Sequence, residues 1–316
     1  MILGGVNDPG ALAAVDCGTN STRLLVVGPA GDVRARAMTI TRLGEGVDAT
    51  RRLRPEAMER TFTALREYRA VMDVERVGRT RLVATSAVRD AVNGDDFLLP
   101  AADIIGAPAE LLPGPEEGRL SYAGATADLS EPDEAVVVVD IGGGSTELVT
   151  KDEGEVRSVS LDIGCVRLTE RFLRGDPPTT AEVAGAVQAI ADELDRAAAA
   201  IPALVHPDRA PRRLVGLAGT VSTLAALQLG LAHYDRARIH HAVLSRAAVG
   251  RWCDVLGAET VARRALRPGL PAGRRDVIFG GALILREVMR RFDLPECIVS
   301  ESDILDGLIL SMEPHG

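Results

Sequence analysis

The stretch "DIGGGSTEL", residues 140–148, follows four valines, Val136 to Val139. An apolar run closing on an acid, then three glycines, then Ser-Thr-Glu, predicts a strand, a tight turn suited to an anion, and a second strand. A near copy, "DCGTNSTRL", occupies residues 16–24. Asp16 answers Asp140, Gly18 answers Gly142, Ser21-Thr22 answer Ser145-Thr146, and Leu24 answers Leu148, at a constant offset of 124 residues (140 − 16). One difference breaks the symmetry: Arg23 stands where the second copy has Glu147.

Outward from each copy, the chain repeats itself. "LAAVDC", "TRLLVVG" and "GDVRARAMTI" predict a three-strand meander, followed by an amphipathic helix from Pro55, a strand in "RTRLVATSAV" running into a loop, a helix near 94–106, a short strand in "AELLPG" and a helix in "PEEGRLSYAGATADL". The order βββαβαβα is an α/β pattern. After "EPDEA" (131–135) it restarts with "AVVVVDI", "STELVTKD" and "VRSVSLDIG", then helices, the strand "RRLVGLAG", further helices including "LSRAAVGRWCDVLG", and a last strand and helix in "CIVSESDILDGLIL". The expected division is 1–130 and 131–316, one phosphate-type turn in each half.

With 316 residues, 46% of them hydrophobic, the chain can bury two such cores. Cys17, Cys165, Cys253 and Cys297 form no CxxC pair, which speaks against a disulfide framework or zinc site and fits a reducing cytoplasm. "MILGGVNDPG" carries neither a basic segment nor a long apolar run, so neither signal peptide nor membrane span is expected. The net charge of −9 argues against broad binding to nucleic acid. A small anionic substrate would instead need arginines concentrated at one cleft, with the acids elsewhere.

The turns have their own chemistry. Gly18, Thr19, Asn20 and Ser21 in one, and Gly142, Gly143, Gly144, Ser145 and Thr146 in the other, offer successive amide N–H groups and hydroxyls to an anion. Asp16 and Asp140 end apolar strands, where a carboxylate is costly without a partner. Mg²⁺ beside phosphate would supply one, since it takes one or two carboxylates plus phosphate oxygens. Either copy alone reads equally well as a glycine-rich hairpin turn; two in matching halves suggest a clamp gripping phosphate from both sides.

The ordered set "AAVDCGTNSTRLL", "ATSAVRDAVN", "GPEEGRLSYAGA", "VVDIGGGSTEL", "SLDIGCVRLTERF", "GLAGTVSTLAAL" and "GRRDVIFGGA", from residue 13 to about 282, resembles the exopolyphosphatase and guanosine pentaphosphate phosphohydrolase (Ppx/GppA) family. The resemblance implies two duplicated ribonuclease-H-like domains of the actin, Hsp70 and sugar-kinase superfamily, with a cleft between them. It implies Glu117 as the general base that activates water, with Glu116 a solvated neighbour. It implies Asp140 and Glu147 as the acids at Mg²⁺ or another divalent cation, and Arg89 and Arg274 as substrate-binding arginines, Arg275 leaving the last register open by one residue. Gly219 and Thr220 fall at a strand-to-helix turn that resembles the superfamily's nucleotide turn and reads equally as a packing turn. Arg23 reads either as a cation toward the polyanion or as an outward-facing strand arginine.

His240-His241 read as ordinary histidines, because adjacent side chains rarely point together and no third ligand lies nearby in sequence. Cys17 reads as packing. The expected activity is Mg²⁺-dependent hydrolysis of the terminal phosphoanhydride of inorganic polyphosphate. The alternative is removal of the 5′ terminal phosphate of guanosine pentaphosphate, and a nucleotide-binding regulator that hydrolyses little stands third. The absence of the helical domains carried by long family members suggests short chains or a channel between two subunits, so a homodimer is also an expectation.

Overall fold

The computed structural model describes residues 10–129, 136–206 and 213–313. The "EPDEA" boundary and the first nine residues lie outside them. β1 (Ala11–Cys17), β2 (Ser21–Val27), β3 (Val33–Ile40), β4 (Val77–Ala84) and β5 (Ala109–Leu111) form one sheet in the order β3-β2-β1-β4-β5. The first three are antiparallel, and β1, β4 and β5 run parallel. β6 (Val136–Ile141), β7 (Thr146–Asp152), β8 (Glu155–Leu161), β9 (Arg213–Leu217) and β11 (Glu296–Val299) repeat that order and sense, with β10 (Val243–Ser245) added antiparallel at the edge. This is the ribonuclease-H-like order twice, as the family resemblance implies.

Two local expectations need correction. "LSRAAVGRWCDVLG" is not helical throughout. The Ser245 hydroxyl accepts from the Ala248 N–H and caps the helix Arg246–Ala258, leaving 243–245 extended to pair with β11. The stretch after β4, expected as a loop, is a helical turn, Ser86–Asp90.

Each sheet is covered on both faces, and the covers cross over. Helices Pro55–Val74 and Asp95–Ile105 pack on one face of the first sheet. The other face, with Ala14, Leu25, Val27 and Val83, is covered by the last helix, Ile304–Met312, through Ile304, Leu305, Leu308 and Ile309. The corresponding face of the second sheet, with Val136, Val138 and Val149, is covered by Tyr122 and Ala125 of the helix Gly114–Thr126, which the first half of the chain supplies. The proposed division at 130/131 therefore separates the two sheets but not their covers. The two crossing helices touch backbone to backbone: a Cβ added to Gly124 would lie 1.9 Å from the Asp303 carbonyl oxygen, and one added to Gly307 2.0 Å from that of Leu120.

Strand alternation then aims the acids. Asp16 shares a face with Ala14, and Arg23 with Leu25, so both point at the last helix. Asp140 shares a face with Val138, and Glu147 with Val149, so both point at Gly114–Thr126. Among the described residues, no helix is long and apolar enough to cross a membrane.

Candidate active site

The two turns close identically. Gly18 N–H donates to the Ser21 carbonyl at 3.0 Å, and Gly142 N–H to the Ser145 carbonyl at 3.0 Å. They face and touch across the cleft: a Cβ on Gly143 would come within 2.8 Å of Thr19 Cβ. The Thr19 hydroxyl bonds that of Ser86 at 2.8 Å. Between the halves lies a cavity of about 530 Å³. Of the sequence-predicted residues, Asp16, Gly18, Thr19, Asn20, Ser21, Arg23, Glu117, Asp140, Gly142, Gly143, Ser145, Gly219, Thr220 and Arg274 line it.

Four predicted residues stand behind that wall. Thr146 is fully buried and donates its hydroxyl to the Ile163 carbonyl at 2.6 Å, so it anchors the turn to the chain beyond β8. Gly144 leaves room for the Thr19 and Ser86 hydroxyls. Glu147, 1% exposed, accepts from Ser160 Oγ at 2.7 Å. Arg89 reaches Glu117 Oε2 at 3.3 Å and the Leu112 carbonyl at 2.7 Å, which makes it a neighbour of the proposed base.

Glu117 sits in the first turn of its helix, 9% exposed. The helix lies flat on the sheet because residue 118 is glycine: a Cβ there would meet Ser158 Oγ at 2.2 Å and Glu147 Cβ at 3.4 Å. This brings Glu117 beside the pair Asp140 and Glu147, which are directly opposite in the β6–β7 register. The Asp140 carboxylate accepts from Ser121 Oγ of the same helix at 2.7 Å. Burial is the largest push upward on all three acids. Burial takes Asp140 to about 6 against the opposing pull of Arg23. Glu147 is raised by burial and by Asp140, and Glu117 by burial and by Glu147, with Arg89 opposing.

The first hairpin resolves the same problem differently. Arg23 is directly opposite Asp16 and donates to its Oδ2 at 3.0 and 2.6 Å; its other guanidinium nitrogen bonds Asp303, the N-cap of the last helix. Arg23 thus points inward, and its charge is shared between two carboxylates. Asp16 Oδ1 is buried and has no hydrogen-bond partner among the described residues. The uncompensated Asp16 oxygen, and Asp140 beside Glu147, are hard oxygen donors of the kind Mg²⁺ takes one or two at a time, with phosphate and water oxygens completing its shell.

That fit bears on stability. A carboxyl whose pKa rises from 3.8 to about 6 on folding contributes stability below pH 4 that is lost as pH rises through 6. The span corresponds to about 3 kcal/mol for a fully buried group. A divalent cation opposes this loss by favouring the ionised acids. The thermal midpoint gained on adding Mg²⁺ should be near zero at pH 4.5–5 and grow toward pH 8, and Asp140→Asn should remove most of the growth. A gain independent of pH would count against cation binding at this acid pair.

The expected excess of arginines does not occur. The cavity wall holds Arg23, Arg36, Arg236 and Arg274, but also Asp16, Glu117, Asp140, Glu301 and Asp303. Acids needed for a cation, and for holding Arg23, offset the arginines needed for the anion. Arg274 rather than Arg275 faces the cavity and donates to the Gly219 carbonyl at 2.8 Å and to Thr223 Oγ1 at 2.9 Å. Arg36, Met38, Cys165, Tyr234, Arg236, Glu301 and Asp303 line the cavity without having been foreseen. Only "SESD" (300–303) carried a local signal, a dense polar run between the last strand and helix.

Cys17 is buried as packing, and Glu116 pairs loosely with Arg119 at 3.5 Å, both as expected. One reason behind the histidine reading needs correction, because the two adjacent side chains do point together. His241 adopts a left-handed backbone, φ 62°, which stacks its ring on that of His240 at 3.8 Å, and Asp128 lies 2.9 Å from His240 Nε2. Among the described residues, this trio is the only group of three such side chains with ligand atoms within 4.8 Å of one another. It does not suit a metal: His240 Nδ1 accepts the Glu301 N–H at 3.1 Å, so its one ring proton sits on Nε2, facing Asp128.

Comparison with known proteins gives a consistent answer. The profile of the Ppx/GppA phosphatase family matches residues 32–315. The chain is 44% identical over 318 aligned positions to Exopolyphosphatase 2 of Mycobacterium tuberculosis, covering 95% of this chain and 98% of that protein. Among solved structures, an exopolyphosphatase-like protein superposes with a TM-score of 0.90 at 35% identity, covering 95% of this chain and 98% of that one. The Aquifex aeolicus member of the Ppx/GppA family superposes with a TM-score of 0.79 at 33% identity, covering 96% and 97%.

Proposed function

The chain belongs to the Ppx/GppA phosphatase family and is thus a phosphoanhydride hydrolase; on that premise we propose that it is a cation-dependent exopolyphosphatase, removing orthophosphate from the end of inorganic polyphosphate. The observation that carries the proposal is the meeting of two facing glycine turns with Glu117 and Asp140 at one cavity, with Glu147 directly opposite Asp140 just behind its wall. A reducing cytoplasmic setting belongs to the same reading, supported by four free, buried cysteines.

In this reading the terminal phosphoryl group lies between the amides of 18–21 and 142–145, which are fixed before substrate arrives by the closing bonds of each turn. Asp140, with Glu147 directly behind it, would hold Mg²⁺, which when bound would supply positive charge to the phosphate oxygens and against the burial and neighbouring acids that raise Glu117. Glu117, steered by Arg89, then accepts a proton from water as the water oxygen attacks phosphorus in line. The bond from that phosphorus to the bridging oxygen breaks, and the shortened chain leaves with the electron pair. Arg274, on the cavity wall, would turn donors not held by Gly219 and Thr223 to phosphate oxygens.

The deciding experiment is phosphate release from short polyphosphate, long polyphosphate and guanosine pentaphosphate side by side, with and without Mg²⁺. Release from polyphosphate at a kcat/KM at least tenfold above that for the nucleotide is expected. The reverse order would reassign the substrate to the nucleotide.

A further inference from the structure

Glu301 is an odd residue to find in the wall of a cavity that takes a polyanion. Its place is fixed at every polar group. Its N–H donates to His240 Nδ1 at 3.1 Å, and His240 is in turn held by Asp128. Its carbonyl accepts from Arg236 at 3.2 Å and from Arg36 at 3.4 Å. Its carboxylate accepts from the hydroxyls of Ser222 and Tyr234. Among the described residues, those two hydroxyls are the carboxylate's partners. The nearby guanidiniums are engaged with its backbone instead, so the carboxylate's charge is oriented but not paired. Arg236 keeps a buried Nε without an acceptor beside it. A fixed negative charge thus shares a wall with Arg36, Arg236 and Arg274, which attract phosphate.

We propose that Glu301 is a specificity-determining carboxylate, which repels phosphate residues beyond the terminal few and makes the enzyme favour short polyphosphate over long. The inference rests on the polyphosphate reading above. A short chain is held by the facing turns and the arginines without pressing further charge against Glu301. A long chain must carry additional anionic residues past it, and every charge within about 8 Å feels the repulsion at physiological ionic strength. Selectivity by a like charge needs no extra domain; it subtracts affinity from the unwanted substrate.

The test is Glu301→Gln in the full chain, which keeps the backbone bonds and leaves an amide oxygen to accept from one of the two hydroxyls, the amide N–H₂ turning to donate to the oxygen of the other. kcat/KM is measured on tetrapolyphosphate and on chains of hundreds of residues, at low and high salt. The long-chain value should rise about fivefold, mainly through KM, with the short-chain value within about twofold, and the gain should shrink at high salt. Glu301→Asp, which keeps the charge, should retain the wild-type ratio, so a folding defect in one variant still leaves a reading from the other. An unchanged long-to-short ratio in Glu301→Gln, or a gain insensitive to salt, overturns the inference alone. A selective loss of guanosine pentaphosphate hydrolysis would also overturn it, by making the carboxylate a reader of ribose hydroxyls. A wild-type chain releasing no phosphate from either polyphosphate overturns the polyphosphate reading and this inference with it.

Discussion

Glu117→Gln should fold and bind as the parent does and release phosphate about a thousandfold more slowly, within the range removed with a general base. The amide has nearly the volume of the carboxyl and can still accept from Arg89, whose main anchor is the Leu112 carbonyl. Packing of the helix on the second sheet, through Tyr122 and Ala125, does not involve residue 117. Folded stability should hold or rise, because an acid raised by burial and then by Glu147 is replaced by a neutral group. The informative measurement is single-turnover phosphate release beside a thermal melt. A loss below tenfold with an unchanged melt would remove Glu117 from the chemistry. A large loss accompanied by a lowered melt would give it a structural role instead.

The second large effect is on the fold. Gly307→Val should destabilise the chain by about 3 kcal/mol or more, the upper end of what overpacking costs. The new Cβ would sit 2.0 Å from the Leu120 carbonyl oxygen, a backbone atom that cannot rotate away, and two γ-methyls would follow it. Gly124→Val should act alike, since a Cβ there meets the Asp303 carbonyl oxygen at 1.9 Å. Both changes wedge the crossing helices apart, and both lie close to site residues: Leu120 is three residues from Glu117, and Asp303 holds Arg23. Thermal midpoints should fall by several degrees and phosphate release should fall with them. A melt unchanged in both variants would mean that the helices slide apart without cost.

Much of this site was legible because the sequence states it twice. The repeated turns gave the two matching hairpins and the positions of Asp16 and Asp140 in them, while the ribonuclease-H-like order of both sheets came from the family resemblance. The Arg23/Glu147 difference was visible, but its meaning depends on what each strand face meets. Arg23 meets Asp303, 280 residues away, while Glu147 meets the helix that carries Glu117. No periodicity reports such a partner. The same holds for Arg89, foreseen near the cleft but not as a neighbour of Glu117, and for Glu301, whose fixing bonds come from three separate stretches of chain. The stacking of His240 and His241 escaped for a local reason. It requires a left-handed backbone at a non-glycine residue, which sequence patterns disfavour.

The exchange of cover helices also sets an order of events during synthesis. The first sheet is complete once β5 has been made, yet one face of it, with Ala14, Leu25, Val27 and Val83, waits for Ile304–Met312. Until then an apolar surface of a nascent chain stays open while the whole second half is translated and folds. The helix that covers the second sheet, by contrast, is ready before its strands exist. A ribosome stalled late in the second half would therefore display a first sheet still offering a sticky face to chaperones, beside a second sheet that lacks β11 between β9 and β10.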